Sequence, residues 1–494
     1  MNVLILALLG CPSSSTDTPA STDDVTDSSP PTPTGETGDS ATTQTSPTAD
    51  TSTTDTAPPY EGPHNVLLVL VDDISPPKVG HYGESTEVHT PVMDELAAGG
   101  VWFRNAWAAP SCSPTRAAFQ TGRFGRRTGF GSVQEPTDVP FVMSAEEMFL
   151  PALLQQAPTP YATSMHGKWH LTPTGSPTDR GWGTWQGSLV NLQGLDGNPG
   201  SYYAWRKTLE DGTVEPSTNY VTTDTTDDAV LALQTLPEPW LVHVSYNAAH
   251  SPFEVPPASL HTQTGLDETS EVIDLERAVL EAMDTELGRL LDAIEPDVRD
   301  RTTVMVVGDN GEKEEIREPG SGPGGKLSLL DGGVRVPFIA QGSAVSARGP
   351  SDALIHVVDV VPTILELAGL PPADAVGLDS QPVVFDGRSL TPMFADPSET
   401  VRDVLYTELF EPNGVGLTGP MLKDYRVARN DDYKLLVDVE NRVEYFYEYT
   451  PDHPEQQPDN LLEGTLDATE EAALEALRSD IAARYAAMRD DLPY

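Results

Sequence analysis

Cys112 lies in the run Ser111-Cys112-Ser113-Pro114-Thr115-Arg116, continued by Ala117-Ala118-Phe119-Gln120-Thr121-Gly122-Arg123. Ser113 is a good N-cap and Pro114 suits a first helical position, so a helix is expected to begin here. Cys112 then sits just ahead of it, where free N–H groups and the positive end of the dipole favour an anion. Arg116, within about one turn, adds a permanent positive charge. Elsewhere, Asp72-Asp73 and Asp309-Asn310-Gly311 offer oxygen ligands only. Such a set suits Ca²⁺ or Mg²⁺ rather than Zn²⁺, and Ca²⁺ tolerates irregular geometry better. Either acidic pair alone would read as a turn. Basic and imidazole groups recur in His166-Gly167-Lys168-Trp169-His170, in Asn247-Ala248-Ala249-His250-Ser251-Pro252-Phe253 and in Gly324-Gly325-Lys326.

These groups need a scaffold that brings them together. Asn65 to Val71 is a continuous apolar run ending in Asp72-Asp73, as expected of a parallel strand buried on both faces. Tyr161 to Met165, Trp240 to Tyr246 and Thr303 to Val307 repeat the pattern, each running into one of the polar clusters. Pro91 to Gly100 and Glu271 to Ile294 have helical spacing, and Val357 to Leu370 reads as another helix. Strands alternating with helices predict an α/β fold with a doubly wound, mostly parallel sheet. Ligands bind such sheets beyond the carboxyl ends of the strands, so the four ends are expected to converge. Tyr425 to Val439 and Arg442 to Tyr449 suggest antiparallel strands, and Glu470 to Met488 a closing helix, together a smaller C-terminal subdomain.

The Cys112 run resembles the Cys-x-Pro-Ser/Thr-Arg signature of formylglycine-dependent, arylsulfatase-like sulfatases of the alkaline phosphatase superfamily. The resemblance extends from about His64 to the C-terminus. It implies oxidation of Cys112 to formylglycine by a formylglycine-generating enzyme, with the hydrate as nucleophile. It also implies one calcium ion bound by Asp72, Asp73, Asp309, Asn310 and the modified Cys112. Arg116 and Lys168 would steady the formylglycine hydroxyls, Lys326 and His250 would bind the sulfate, and one of them would protonate the leaving oxygen. Asp309 would assist deprotonation of the attacking hydroxyl, and His170 would take the proton from the second one. The implied substrate is a small-molecule or carbohydrate sulfate monoester. Glu312-Lys313-Glu314-Glu315 is more charged than the family pattern leads one to expect, which puts the substrate-side loop in question.

The formal charge is -47, with 76 acidic against 29 basic residues. Such a chain does not bind nucleic acid through its general surface, and an anionic substrate needs a local positive site. Residues 1–10 are apolar and end in Leu8-Leu9-Gly10-Cys11, which resembles a bacterial lipobox. The stretch is too short to span a bilayer. Cys11 is then expected to be a lipid anchor, placing the protein in a bacterial cell envelope. Residues 11–62 are rich in Ser, Thr, Pro and Asp, cannot bury enough surface to fold, and form a tether with a reach on the order of 40 Å. The catalytic domain is expected over 63–395 and the subdomain over 396–494. His243 reads as a core residue inside a strand, and Tyr202-Tyr203-Ala204-Trp205 as core or surface loop rather than cleft lining. Two rival functions are a phosphate or phosphonate ester hydrolase of the same superfamily and a catalytically silent binding protein.

Overall fold

A computed structural model describes residues 62–490, apart from 84–86, 135–140, 173–174, 195–198, 415–420 and 450–459. Residues 1–61, with Cys11 and all but the last residue of the tether, lie outside the described residues. Strand β1 (Asn65–Val71) is buried along its whole length. Leu67, Val69 and Val71 join the core on one side of the sheet; Val66, Leu68 and Leu70 join the core on the other. This alternation follows from the two-residue period of a strand and explains the unbroken apolar run.

The remaining strands of the main sheet are β2 (Val101–Trp107), β3 (Ala162–Gly167) and β4 (Thr184–Gln186). A separate ribbon, β5 (Trp205–Thr208) and β6 (Val214–Ser217), is followed by β7 (Trp240–Ser245), β8 (Thr302–Gly308), β9 (Phe338–Gly342) and β10 (Gly349–His356). The eight strands run in the order β10-β2-β9-β8-β1-β7-β3-β4. All neighbours are parallel except β9, which is antiparallel to both β2 and β8. The expected doubly wound α/β sheet is therefore present, with one reversed strand. Helices Cys112–Thr121 and Val360–Leu367 cover one face; Pro91–Gly99, Val221–Thr235 and Val272–Asp292 cover the other.

The C-terminal sheet is β11 (Leu405–Glu411), β12 (Lys423–Arg429), β13 (Tyr433–Asp438) and β14 (Val443–Glu448), antiparallel throughout, closed by helix Ala468–Asp490. The stretch from Tyr425 to Val439, read as one strand, is two, because Asn430 Oδ1 accepts from the N–H groups of Asp432 and Tyr433 and turns the chain. The helix expected over 357–370 is shorter: a 3₁₀ turn, Val357–Asp359, precedes it, fixed by the Val358 N–H on His356 Nδ1 and the His356 N–H on Asp359 Oδ2.

Helix Pro91–Gly99 starts against Asp284, whose carboxylate accepts from the N–H groups of Val92 and Met93 at 2.9 Å each. Burial pushes the Asp284 carboxyl up to about 7, against these two donors. Its unfolded value is near 4, so the folded state binds the proton more tightly. The resulting stability is whole below about pH 4 and is lost as pH rises through about 7. Asp284→Asn, which does not titrate, will flatten the decline in Tm across that window. A slope equal to that of the parent would contradict the assignment.

Candidate active site

Strands β8, β1, β7 and β3 are consecutive in the sheet and parallel, so their carboxyl ends open on one edge. The backbone continues to pair past them. Asp309 N–H bonds Val71 O at 2.9 Å, Ala249 N–H bonds Asp72 O at 2.8 Å, and Lys168 N–H bonds Ser245 O at 2.8 Å. Gly167 makes the last approach possible, since it has φ +92° and a Cβ there would sit 2.1 Å from Ser245 O. The residues after these strands thus face one another.

Asp72, Asp73, Cys112 and Asp309 are fully buried, and one ligand atom from each lies within 4.8 Å of the others. Cys112 Sγ is 3.4 Å from Asp72 Oδ1, 3.0 Å from Lys326 Nζ and 3.9 Å from Lys168 Nζ. Lys168 pairs with Asp72, and Lys326 Nζ with Asp73 Oδ1. Arg116 Nη2 donates to Asp72 Oδ2 at 3.1 Å and to Asp309 Oδ2 at 2.8 Å, while its Nη1 bonds Lys168 O and Ser245 Oγ. Arg116 therefore braces two carboxylates. Asn310 Nδ2 donates to Asp73 Oδ1 at 2.7 Å.

Helix Cys112–Thr121 includes Cys112 itself, with Ser111 rather than Ser113 at the N-cap. The Ser113 hydroxyl is taken by tertiary contacts instead, donating to His170 O and accepting from Gln134 N–H. His170 is buried with both ring nitrogens unbonded. His250 Nδ1 lies 2.8 Å from Ser251 O, so it carries the hydrogen, and Nε2 is 3.9 Å from Asp73 Oδ2.

Burial pushes the Cys112 thiol up to about 12; Asp72 adds to this, and Lys168 and Lys326 oppose it. An unmodified side chain here keeps its proton at neutral pH, unlike cysteines tuned to be nucleophiles. Burial alone would favour the protonated Asp72, but Lys168, His250 and Arg116 outweigh it and hold this carboxyl well below the usual range. Burial, then Lys168 and Arg116, keep His170 well below the ordinary imidazole value. Both Asp73 Oδ2 and Asn310 Oδ1 are buried without a hydrogen bond. Each such orphan costs about 1–3 kcal/mol unless something else satisfies it.

The family model described as Sulfatase matches residues 64–370. This chain belongs to the sulfatase family. It is a sulfuric ester hydrolase, as its curated relatives are by name. N-acetylgalactosamine-6-sulfatase of Homo sapiens is 30% identical over 377 residues, 69% of each chain. The Sus scrofa protein of that name is 31% identical, over 66% of this chain and 67% of its own. Arylsulfatase G of Mus musculus is 30% identical over 71% of each chain. Among solved structures, a complex of Ps i-CgsB with k-i-k-neocarrahexaose aligns with TM-score 0.67 at 21% identity, covering 85% of this chain and 92% of that one. A protein solved with its substrate D-glucosamine-2-N,6-O-disulfate aligns with TM-score 0.65 at 20% identity, covering 88% and 99%.

Sequence reasoning missed several supporting residues of this sulfatase. Ser245, at the end of β7, bonds Arg116; its signal was a polar residue closing a largely apolar run. Tyr202 is buried, as expected, yet its hydroxyl bonds Asn247 O and His250 O and so holds the His250 loop. His243 is a core residue, bonded through Nδ1 to Leu68 O. The charged run after Gly311 divides. Glu312 is buried, accepts from Glu318 N–H and Ser321 Oγ, and its backbone oxygen takes the Lys326 N–H at 2.6 Å. Glu314 and Glu315 face solvent.

Proposed function

We propose that this sulfatase cleaves a sulfate monoester with formylglycine, made from Cys112, and one Ca²⁺ held by Asp72, Asp73, Asp309, Asn310 and residue 112. The observation that carries the reading is the oxygen-lined cluster around Cys112, with Asp73 Oδ2 and Asn310 Oδ1 left without partners. An ion with only oxygen ligands suits that donor set. The ion would draw charge from the sulfuryl oxygens, and the aldehyde hydrate would supply a nucleophile whose second hydroxyl gives a route for expelling sulfate.

The protein's own groups do the rest. Arg116 fixes Asp72 and Asp309 so that their oxygens need no reorganisation. Lys168, beside residue 112, offsets negative charge there. Asp309, pushed up to about 6 by burial first and Asp72 second, accepts the proton of the attacking hydroxyl. Lys326 and His250 bind the sulfuryl oxygens, and one of them supplies the proton needed by the leaving alcohol. His170, neutral and unbonded, takes the second proton. A formylglycine-generating enzyme as maturation partner belongs to the same proposal on the Cys112 run, and a lipid on Cys11 with residence in a bacterial cell envelope on the N-terminal sequence alone.

The test is turnover of 4-nitrophenyl sulfate, a hexosamine 6-sulfate and 4-nitrophenyl phosphate by one purified sample. A sulfate ester should have the largest kcat/KM. Faster phosphate hydrolysis would move the chain to the phosphoester branch, and no turnover despite a modified residue 112 would leave a binding protein.

A further inference from the structure

Lys78, Lys168, Lys207, Lys326, Lys423 and Lys434 each reach a carboxylate. That is expected in a chain with 76 acidic and 29 basic residues. Lys313 departs from it. Among the described residues, no carboxylate lies within ion-pair distance of its ammonium, which instead donates to Ser251 Oγ at 2.7 Å. The acids beside it in sequence are engaged elsewhere: Glu312 points into the interior and Glu314 pairs with Arg317 at 2.9 Å.

The position is specific. Ser251 follows His250 and accepts its Nδ1–H through the backbone oxygen. Glu312, which precedes Lys313, holds the Lys326 backbone. Lys313 therefore stands between the two segments that carry His250 and Lys326. It is half-buried, like Ser251 that it touches, and is not part of the core. A cation kept clear of carboxylates in a strongly acidic protein is available to an incoming anion.

We propose that Lys313, with the Ser251 hydroxyl, forms a second anion subsite beside the scissile sulfate. It would select esters whose alcohol carries another sulfate or a carboxylate. This rests on the sulfate-ester reading above and narrows its substrate class.

The experiment takes the best monosulfated substrate of the parent enzyme and two derivatives, one with an added ring sulfate and one with an added ring carboxylate. For Lys313→Ala, the preference for a dianionic substrate over the monosulfate, as a ratio of kcat/KM, should fall about tenfold or more, the range of one charge-assisted hydrogen bond. The loss should appear in KM, weaken with added salt, and be restored by Lys313→Arg. Which derivative responds identifies the second anion. Equal losses on all three substrates would mean that Lys313 only braces the loop and would overturn the subsite, as would an unmoved ratio. A parent enzyme that hydrolyses no sulfate ester would overturn the underlying reading instead.

Discussion

Cys112→Ala will lose sulfate-ester turnover by a factor on the order of 10³ or more, with little change in Tm. The first effect follows from removing the proposed nucleophile, since loss of a nucleophile commonly removes most of the chemistry. The second follows because the surrounding ion pairs, Arg116 with Asp72 and Asp309 and Lys326 with Asp73, do not depend on the thiol. Peptide mass analysis of the active parent should find CHO in place of CH₂SH at residue 112. His170→Ala should release about one equivalent of alcohol quickly and sulfate only slowly, because the second proton has no acceptor. A fully active enzyme with an unmodified thiol would defeat the formylglycine mechanism.

Removing the proposed divalent ion should be nearly as damaging. Dialysis against a chelator is expected to abolish turnover and lower Tm, and Ca²⁺ should restore both, more effectively than Mg²⁺. At a free concentration a hundredfold above Kd the ion adds about 2.7 kcal/mol of stability. Asp309→Ala should cost about 3–5 kcal/mol, because the buried Arg116 loses one of its two carboxylates. Stoichiometric Zn²⁺ in active protein, or activity with no divalent ion at all, would refute the oxygen-ligand argument.

Much of this arrangement was legible in the sequence for a physical reason. Strands β1, β7 and β8 are buried on both faces, so their runs are largely apolar, and the polar residues that end them are conspicuous. Other parts carry weaker signals. β9 is five residues long and β10 alternates between exposed and buried at its start, so neither shows as a continuous run. Ser113 has every local property of an N-cap, and only the distant His170 and Gln134 reveal that its hydroxyl is spent elsewhere. Lys313 looks like a solvated charge until its neighbours are counted.

The pairing of β1 with β8 has a consequence in time. Asp72 meets Asp309 only after most of the chain has left the ribosome, and Lys326, which lies against Cys112, emerges later still. Until then the sulfur is on an open strand of polypeptide; afterwards it is fully enclosed. On the formylglycine proposal, the oxidising enzyme would therefore work on the nascent or still-unfolded protein. The interval between synthesis of Cys112 and arrival of Lys326 would then be the window open to the proposed oxidation.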